Sequence, residues 1–121
     1  MMRGIRGATT VEENSREKIW RTARHLVTQI LSQNELHAED IGAIIFSTTE
    51  DITAAFPSSA IRQLPALKFI PLFDTTEPAV EGSLPLCIRV LVLADIDKKQ
   101  TDVRHIYLGG AKNLRPDLIQ A

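Results

Sequence analysis

"LCIRVLVLAD", residues 86–95, decides how the rest of the chain is read. From Cys87 to Ala94 seven of eight residues are apolar, and the eighth is Arg89. A short run that is apolar on both faces reads as a strand buried in a sheet. Burying a guanidinium with no anion beside it is very costly. Arg89 therefore needs negative charge. Asp95, Asp74 or Glu77 can supply it from within the protein, or an anionic ligand can. The residues alone leave both open.

The bulk properties narrow the classes. A chain of 121 residues fits one domain, 1–121, and one of this size buries about two-thirds of its unfolded surface. Hydrophobic residues make up 44% and charged residues 24%, as in soluble globular proteins. The net charge is −1, so there is no basic surplus for gripping a phosphate backbone or a membrane surface. Binding of an anion must come from local arginines. The lone cysteine, Cys87, cannot form an internal disulfide, and Cys and His show no metal-ligand spacing. This suits a reducing cytoplasm. No apolar run approaches the roughly 18 residues of a membrane span, and "MMRGIRGATT" has no apolar core of a signal peptide.

Outward from the Arg89 strand, "RGIRGATTV", residues 3–11, reads as a first strand whose glycines admit close backbone approach. "ENSREKIWRTARHLVTQILSQNE" reads as an amphipathic helix with Ile19, Ala23, Leu26, Val27 and Ile30 as its buried stripe. Asn14 or Ser15 can cap it, Glu17 lies three residues after Asn14 as in a capping box, and Asn34 is its stop. A second strand is expected around residues 43–47, and "FPSSAIRQLP" is a short helix closed by Pro65. "KFIPLF" is a third strand near an edge because of Pro71. "DTTEPAVEGSLP", residues 74–85, is a loop; the Arg89 strand is the fourth, and "RHIYL", residues 104–108, the fifth. A turn and a tail follow. The order β-α-β-α-β-β-β describes a small α/β sheet with helices on one face and a hairpin-like end. Its other face would be apolar and in need of cover, for which self-association is the simplest remedy.

The polar residues set among apolar ones are Arg6, Arg89, Tyr107, Glu77 in the loop before the fourth strand, and Arg62 on the short helix after Phe56. Such a set is ill suited to acid–base work, which calls for a histidine or paired carboxylates. Arginine stays protonated and binds carboxylates in a fork. The set suits holding a small polyanion that carries a hydroxyl. Each residue also has a plainer reading: an ion pair for Arg89, a surface position for Arg6 and Glu77, a core aromatic for Tyr107.

Taken in order, "RGIRGATTVEEN", "AFPSSAIR", "TTE", "LPLCIRVLVL", "RHIYL" and "LRPDL" resemble the monofunctional AroH-type chorismate mutases. The resemblance runs from Met1 to about Leu118. It implies a small mixed β-sheet of the α/β (α+β) class with helices packed on one face. It also implies a homotrimer with a barrel-like core, the Bacillus chorismate mutase-like fold, with sites between subunits. The implied activity is the Claisen rearrangement of chorismate to prephenate in phenylalanine and tyrosine biosynthesis, without cofactor or metal. Arg89 corresponds to the arginine beside the breaking ether bond, and Arg6 and Tyr107 to the groups that hold a carboxylate. Glu77 matches the residue that accepts from the ring hydroxyl. Phe56 and Arg62 match residues offered by the neighbouring subunit. Phe73, Asp74, Thr75 and Thr76 belong with the substrate-binding stretch, and Leu114 with a mobile tail, about 112–121, that closes over the site. Asp74 and Ser59 depart from the best-known relative, which has cysteine and lysine there. The other reading is a non-catalytic trimeric module of the same fold that binds a small carboxylate.

Overall fold

The computed structural model describes residues 1–113; Leu114 and the Arg115-Pro116-Asp117 segment lie outside the described residues. Helix α1, Arg16–Gln33, buries Ile19, Ala23, Leu26, Val27 and Ile30, the stripe that the helical period marks. Ser15 alone caps it: its backbone is extended and its Oγ accepts from the Lys18 N–H at 3.3 Å. The capping box expected between Asn14 and Glu17 does not form. Only the residue directly before the first turn can cap, and Glu17 instead accepts from Arg21 at 3.2 Å, one turn on. At the other end Asn34 is buried. Its Nδ2 donates to the carbonyls of Ile30 and Arg104, and its Oδ1 accepts from the Arg104 N–H, so it stops the helix and ties it to the approach of the last strand.

Five strands make one mixed sheet in the order β3-β2-β4-β1-β5. They are β1 Met2–Thr10, β2 Ile41–Thr48, β3 Leu72–Thr76, β4 Cys87–Asp95 and β5 Ile106–Tyr107. β4 runs antiparallel to β1 and β2, β3 is parallel to β2, and β5 is parallel to β1. The expected hairpin-like end is therefore not found. β1 pairs along its whole length with β4 and occupies that edge, which leaves β5 the far side of β1. β3 is the edge strand that Pro71 implies, but it begins after Pro71 and takes in Asp74, Thr75 and Thr76, which read as loop. An edge strand has one neighbour to satisfy, here β2, so turn-prone residues are tolerated in it. The second helix, α2 Pro57–Arg62, ends before Pro65, which opens a 3₁₀ turn, Pro65–Leu67, and does not close the helix.

Both helices cover one face. Ile5 of β1, Ile44 and Phe46 of β2, and Ile88, Val90 and Val92 of β4 join the α1 stripe and Ala60 and Ile61 of α2 in one core. Gly7 lies on this face because a Cβ there would sit 2.8 Å from Ile30 Cδ1 and 3.1 Å from Leu26 Cδ1. The alternate residues face away from the helices: Arg6 and Ala8, Ile45 and Ser47, Phe73 and Thr75, Arg89 and Leu91, and Tyr107. Arg89 is thus not sandwiched between two buried layers as its apolar neighbours suggest. Its side chain is 42% exposed, because no helix lies over its face.

Candidate active site on the open face of the sheet

The register places a row of side chains across this face. Thr75 is paired with Ser47, Ser47 with Arg89, Arg89 with Ala8, and Ala8 with Tyr107. Arg89 and Tyr107 are two strands apart, about 10 Å at the backbone, with only the Ala8 methyl between them. In the next row Arg6 is paired with Leu91 and Leu91 with Ile45, which is paired with Phe73. Three of the polar residues singled out in the sequence therefore share one face, on three different strands.

Glu77 answers the question posed by Arg89. The chain leaves β3, and the Glu77 N–H donates to the Thr48 carbonyl at 2.9 Å. This brings Oε1 to 3.2 Å from Arg89 Nε, with the Glu77 side chain only 14% exposed. The carboxylate is one of the three intramolecular candidates; Asp95 instead holds the N-terminal ammonium at 2.7 Å, and Asp74 is engaged elsewhere. Glu77 meets the guanidinium from its Nε edge. Among the described residues the two terminal nitrogens of Arg89 meet no hydrogen-bond partner, which leaves the outer fork for another anion.

The start of β4 is braced from both sides. Leu86 has φ of +47°, a left-handed backbone costly for a branched side chain. Its N–H donates to Asp51 Oδ2 at 2.9 Å, and its carbonyl accepts from the Val11 N–H at 2.8 Å. Thr49 Oγ1 donates to Asp51 and accepts from the Cys87 N–H. Desolvation pushes the Asp51 carboxyl upward, but the Thr49 hydroxyl and the Leu86 N–H outweigh it and hold its pKa below the ordinary 3.8. Cys87 is buried with Ala8 and Ala111, under Leu84 and Tyr107. Burial lifts its thiol to about 11, against the pull of Arg89 and with a push from Glu77 and Asp51, so it is a neutral apolar group and not a nucleophile. On the outer edge the Arg6 N–H donates to His105 Nδ1 at 2.9 Å.

Phe73 and Thr75 stay on the open face, and the other expected residues gather around the start of α2. Phe56 is the N-cap residue of α2 and is 69% exposed; Arg62, also exposed, ends that helix. Asp74 does not pair with Arg62. Its two oxygens accept from the Ser58 N–H at 3.2 Å and from the Ser58 hydroxyl, so it fastens the first turn of α2 to β3. Phe56, Asp74, Thr75 and Thr76 line a cleft of about 340 Å³. Glu77 lines another of about 390 Å³ with the 78–85 loop. Arg6, Arg89 and Tyr107 line neither cleft. Within one chain the candidate residues thus form two groups, one on the open face and one around the start of α2. No sequence pattern singles out Asn14, Trp20, Thr49 or Asp51 as functional, because what they do lies in contacts distant along the chain.

A mixed sheet covered by helices on one side, with Arg6, Arg89 and Tyr107 on the other, defines an α/β protein whose open face carries cationic side chains. The chain belongs to the type I chorismate mutase family, whose model matches residues 2–118. It is 48% identical to chorismate mutase AroH of Thermus thermophilus, over 100% of this chain and 99% of that protein. It is 40% identical to chorismate mutase AroH of Bacillus subtilis, over 98% and 93%. Among solved structures it is similar to a chorismate mutase from Clostridium thermocellum, with a TM-score of 0.88 at 40% identity, over 91% of this chain and 97% of the other. That likeness agrees with the mixed sheet and its one-sided helices.

Proposed function

We propose that this chorismate mutase rearranges chorismate to prephenate on the open face of its sheet, with Arg89 as the group that stabilises the transition state. The observation that supports this reading is the Arg89–Glu77 pair: the cation is held at Nε, 3.2 Å from Oε1, while its outer fork meets no partner among the described residues. In the reaction an ether C–O bond breaks and a C–C bond forms within one molecule, so no atom is gained or lost and no external proton is needed. Cleavage runs ahead of bond formation, and negative charge gathers on the ether oxygen. A fixed guanidinium aimed there binds the transition state better than the ground state.

Arg6 and Tyr107 are assigned to the substrate carboxylates and Glu77 to the ring hydroxyl. Phe56, Arg62, Phe73, Asp74, Thr75 and Thr76 are assigned to substrate binding, as is Leu114, which lies outside the described residues. Holding the compact, chair-like conformer removes part of the remaining barrier. An acceleration of about 10⁶-fold asks for roughly 8 kcal/mol, within reach of these two effects together.

The whole chain, 1–121, acts as one domain and assembles as a homotrimer in the cytoplasm, with each site shared between two copies. The exposed Phe56 and Phe73, 69% and 60%, and the separation of the candidate residues into two groups support that assembly. Among the described residues no helix is long and apolar enough to cross a membrane.

The test is the loss of chorismate absorbance with purified protein and no added cofactor, beside Arg89→Ala. The expected result is turnover that disappears in the folded variant, with a rate nearly flat from pH 6 to pH 8. Chorismate binding without turnover would return the protein to the class of carboxylate-binding modules.

A further inference from the structure

We propose that Asn14 and Trp20, at the start of α1, are positioning residues for the chorismate site and act through Phe56. The proposal rests on the reading of Phe56 as a wall of that site. Asn14 stands next to a working cap, Ser15, and takes no part in capping. Its side-chain hydrogen bonds go to another segment. Its Oδ1 accepts from the N–H groups of Thr53 and Ala54 at 3.0 and 3.1 Å, and its Nδ2 donates to Thr53 Oγ1 at 2.8 Å. Two turns further on, Trp20 Nε1 donates to the Phe56 carbonyl at 3.2 Å. That carbonyl also accepts from the Ser59 N–H, so Trp20 grips the peptide that opens α2. The Arg16 guanidinium lies 5.4 Å from the centre of the indole ring and steadies it.

The Phe56 ring is 69% exposed, so packing within the chain does not set where it stands. Its backbone must do so, and residues 53, 54 and 56 are each tied to α1 by side chains of α1 or its leading residue. Asp74, on β3, ties Ser58 in the same way. A wall that is fixed before substrate arrives loses less freedom on binding than one that must be ordered. Loosening it weakens ground state and transition state alike, which appears as a raised KM with kcat little changed.

The experiment is steady-state kinetics and thermal melting of Asn14→Ala, Asn14→Asp, Trp20→Phe, Phe56→Ala and the double variant Asn14→Ala with Phe56→Ala. Removing one of these bonds is expected to raise KM roughly 3- to 10-fold. Asn14→Asp keeps both acceptor contacts, and the Thr53 hydroxyl can turn to donate to its second oxygen in place of the lost Nδ2 bond, so the parent KM is expected. Phe56→Ala raises KM by itself, and Asn14→Ala adds nothing further in that background, because the two act through one element. Effects that multiply in the double variant, or an unchanged KM in Asn14→Ala and Trp20→Phe, overturn the proposal while the reading of Phe56 stands. An inert Phe56→Ala overturns that reading and the proposal with it. If Asn14→Ala fails to fold, Trp20→Phe in the Phe56→Ala background runs the same comparison.

Discussion

Replacing Arg89 with citrulline separates charge from shape. Citrulline keeps the length, the planar end and the Nε–H that meets Glu77 at 3.2 Å; a carbonyl oxygen replaces one terminal nitrogen, so the positive charge is lost together with that nitrogen's donors. The Arg89 side chain is 42% exposed, so its pair with Glu77 lies partly in water. Exposed pairs contribute about 0–1 kcal/mol, and the melting temperature should fall by no more than a few degrees. Catalysis should respond quite differently. Two unit charges about 4 Å apart interact by roughly 4 kcal/mol at an effective dielectric of about 20. The ether oxygen carries part of a charge, and loss of one preorganised donor costs about 10²- to 10³-fold in kcat. We expect initial rates of chorismate loss at least about 10²-fold below the parent, with a melting curve close to it. A citrulline variant within about threefold of the parent rate would show that charge at this position does not lower the barrier, and the electrostatic account would have to be given up.

Gly7→Ala puts a methyl within 2.8 Å of Ile30 Cδ1 and 3.1 Å of the Ile106 carbonyl and of Leu26 Cδ1. A denaturant titration should show a loss of about 1–3 kcal/mol; an unchanged midpoint would mean that α1 moves away freely. The Cys87 thiol should resist iodoacetamide at pH 8 in the folded protein and react after unfolding, since burial holds its pKa at about 11. The same raised value makes the fold lose stability as the pH climbs from about 9 towards about 11, because the unfolded chain ionises first. Asp51 runs the other way. Its folded pKa lies below 3.8, so its contribution is full above that value and is lost as acid protonates it. The stability gap between parent and Asp51→Asn should hold from pH 7 to pH 5 and close below about pH 4.

The helix and the central strand were legible because each carries its own period. Five apolar positions at helical spacing mark the buried side of α1, and the apolar run of 87–94 marks β4 as the middle of a sheet. The burial cost that makes Arg89 look in need of an acid is smaller than its apolar neighbours suggest, since the side chain is 42% exposed. Its partner Glu77 is nonetheless one of the three acids the sequence offers. The edges were less legible. β3 is held by a single partner, so Asp74, Thr75 and Thr76 extend it with residues that look like loop. β5 is two residues long and takes its place from β1, which no local pattern can express. Asn14 shows why side-chain contacts are hardest to read. Its type and spacing fit a cap, and one residue of displacement gives that role to Ser15 and sends Asn14 to a loop 39 residues away.

The left-handed bend at Leu86 has a consequence for how such a chain can change over generations. Side chains on a strand alternate, so one inserted residue between the bend and Arg89 would turn the cation towards the helices. The hydrogen bonds from Leu86 and Cys87 to Asp51 and Thr49 fix the point from which the strand is counted. Length can vary in the exposed stretch 78–83 that precedes the bend, where few backbone bonds would be disturbed. Three residues later it cannot. Lineages of this enzyme should therefore accept insertions and deletions on one side of Leu86 and reject them on the other.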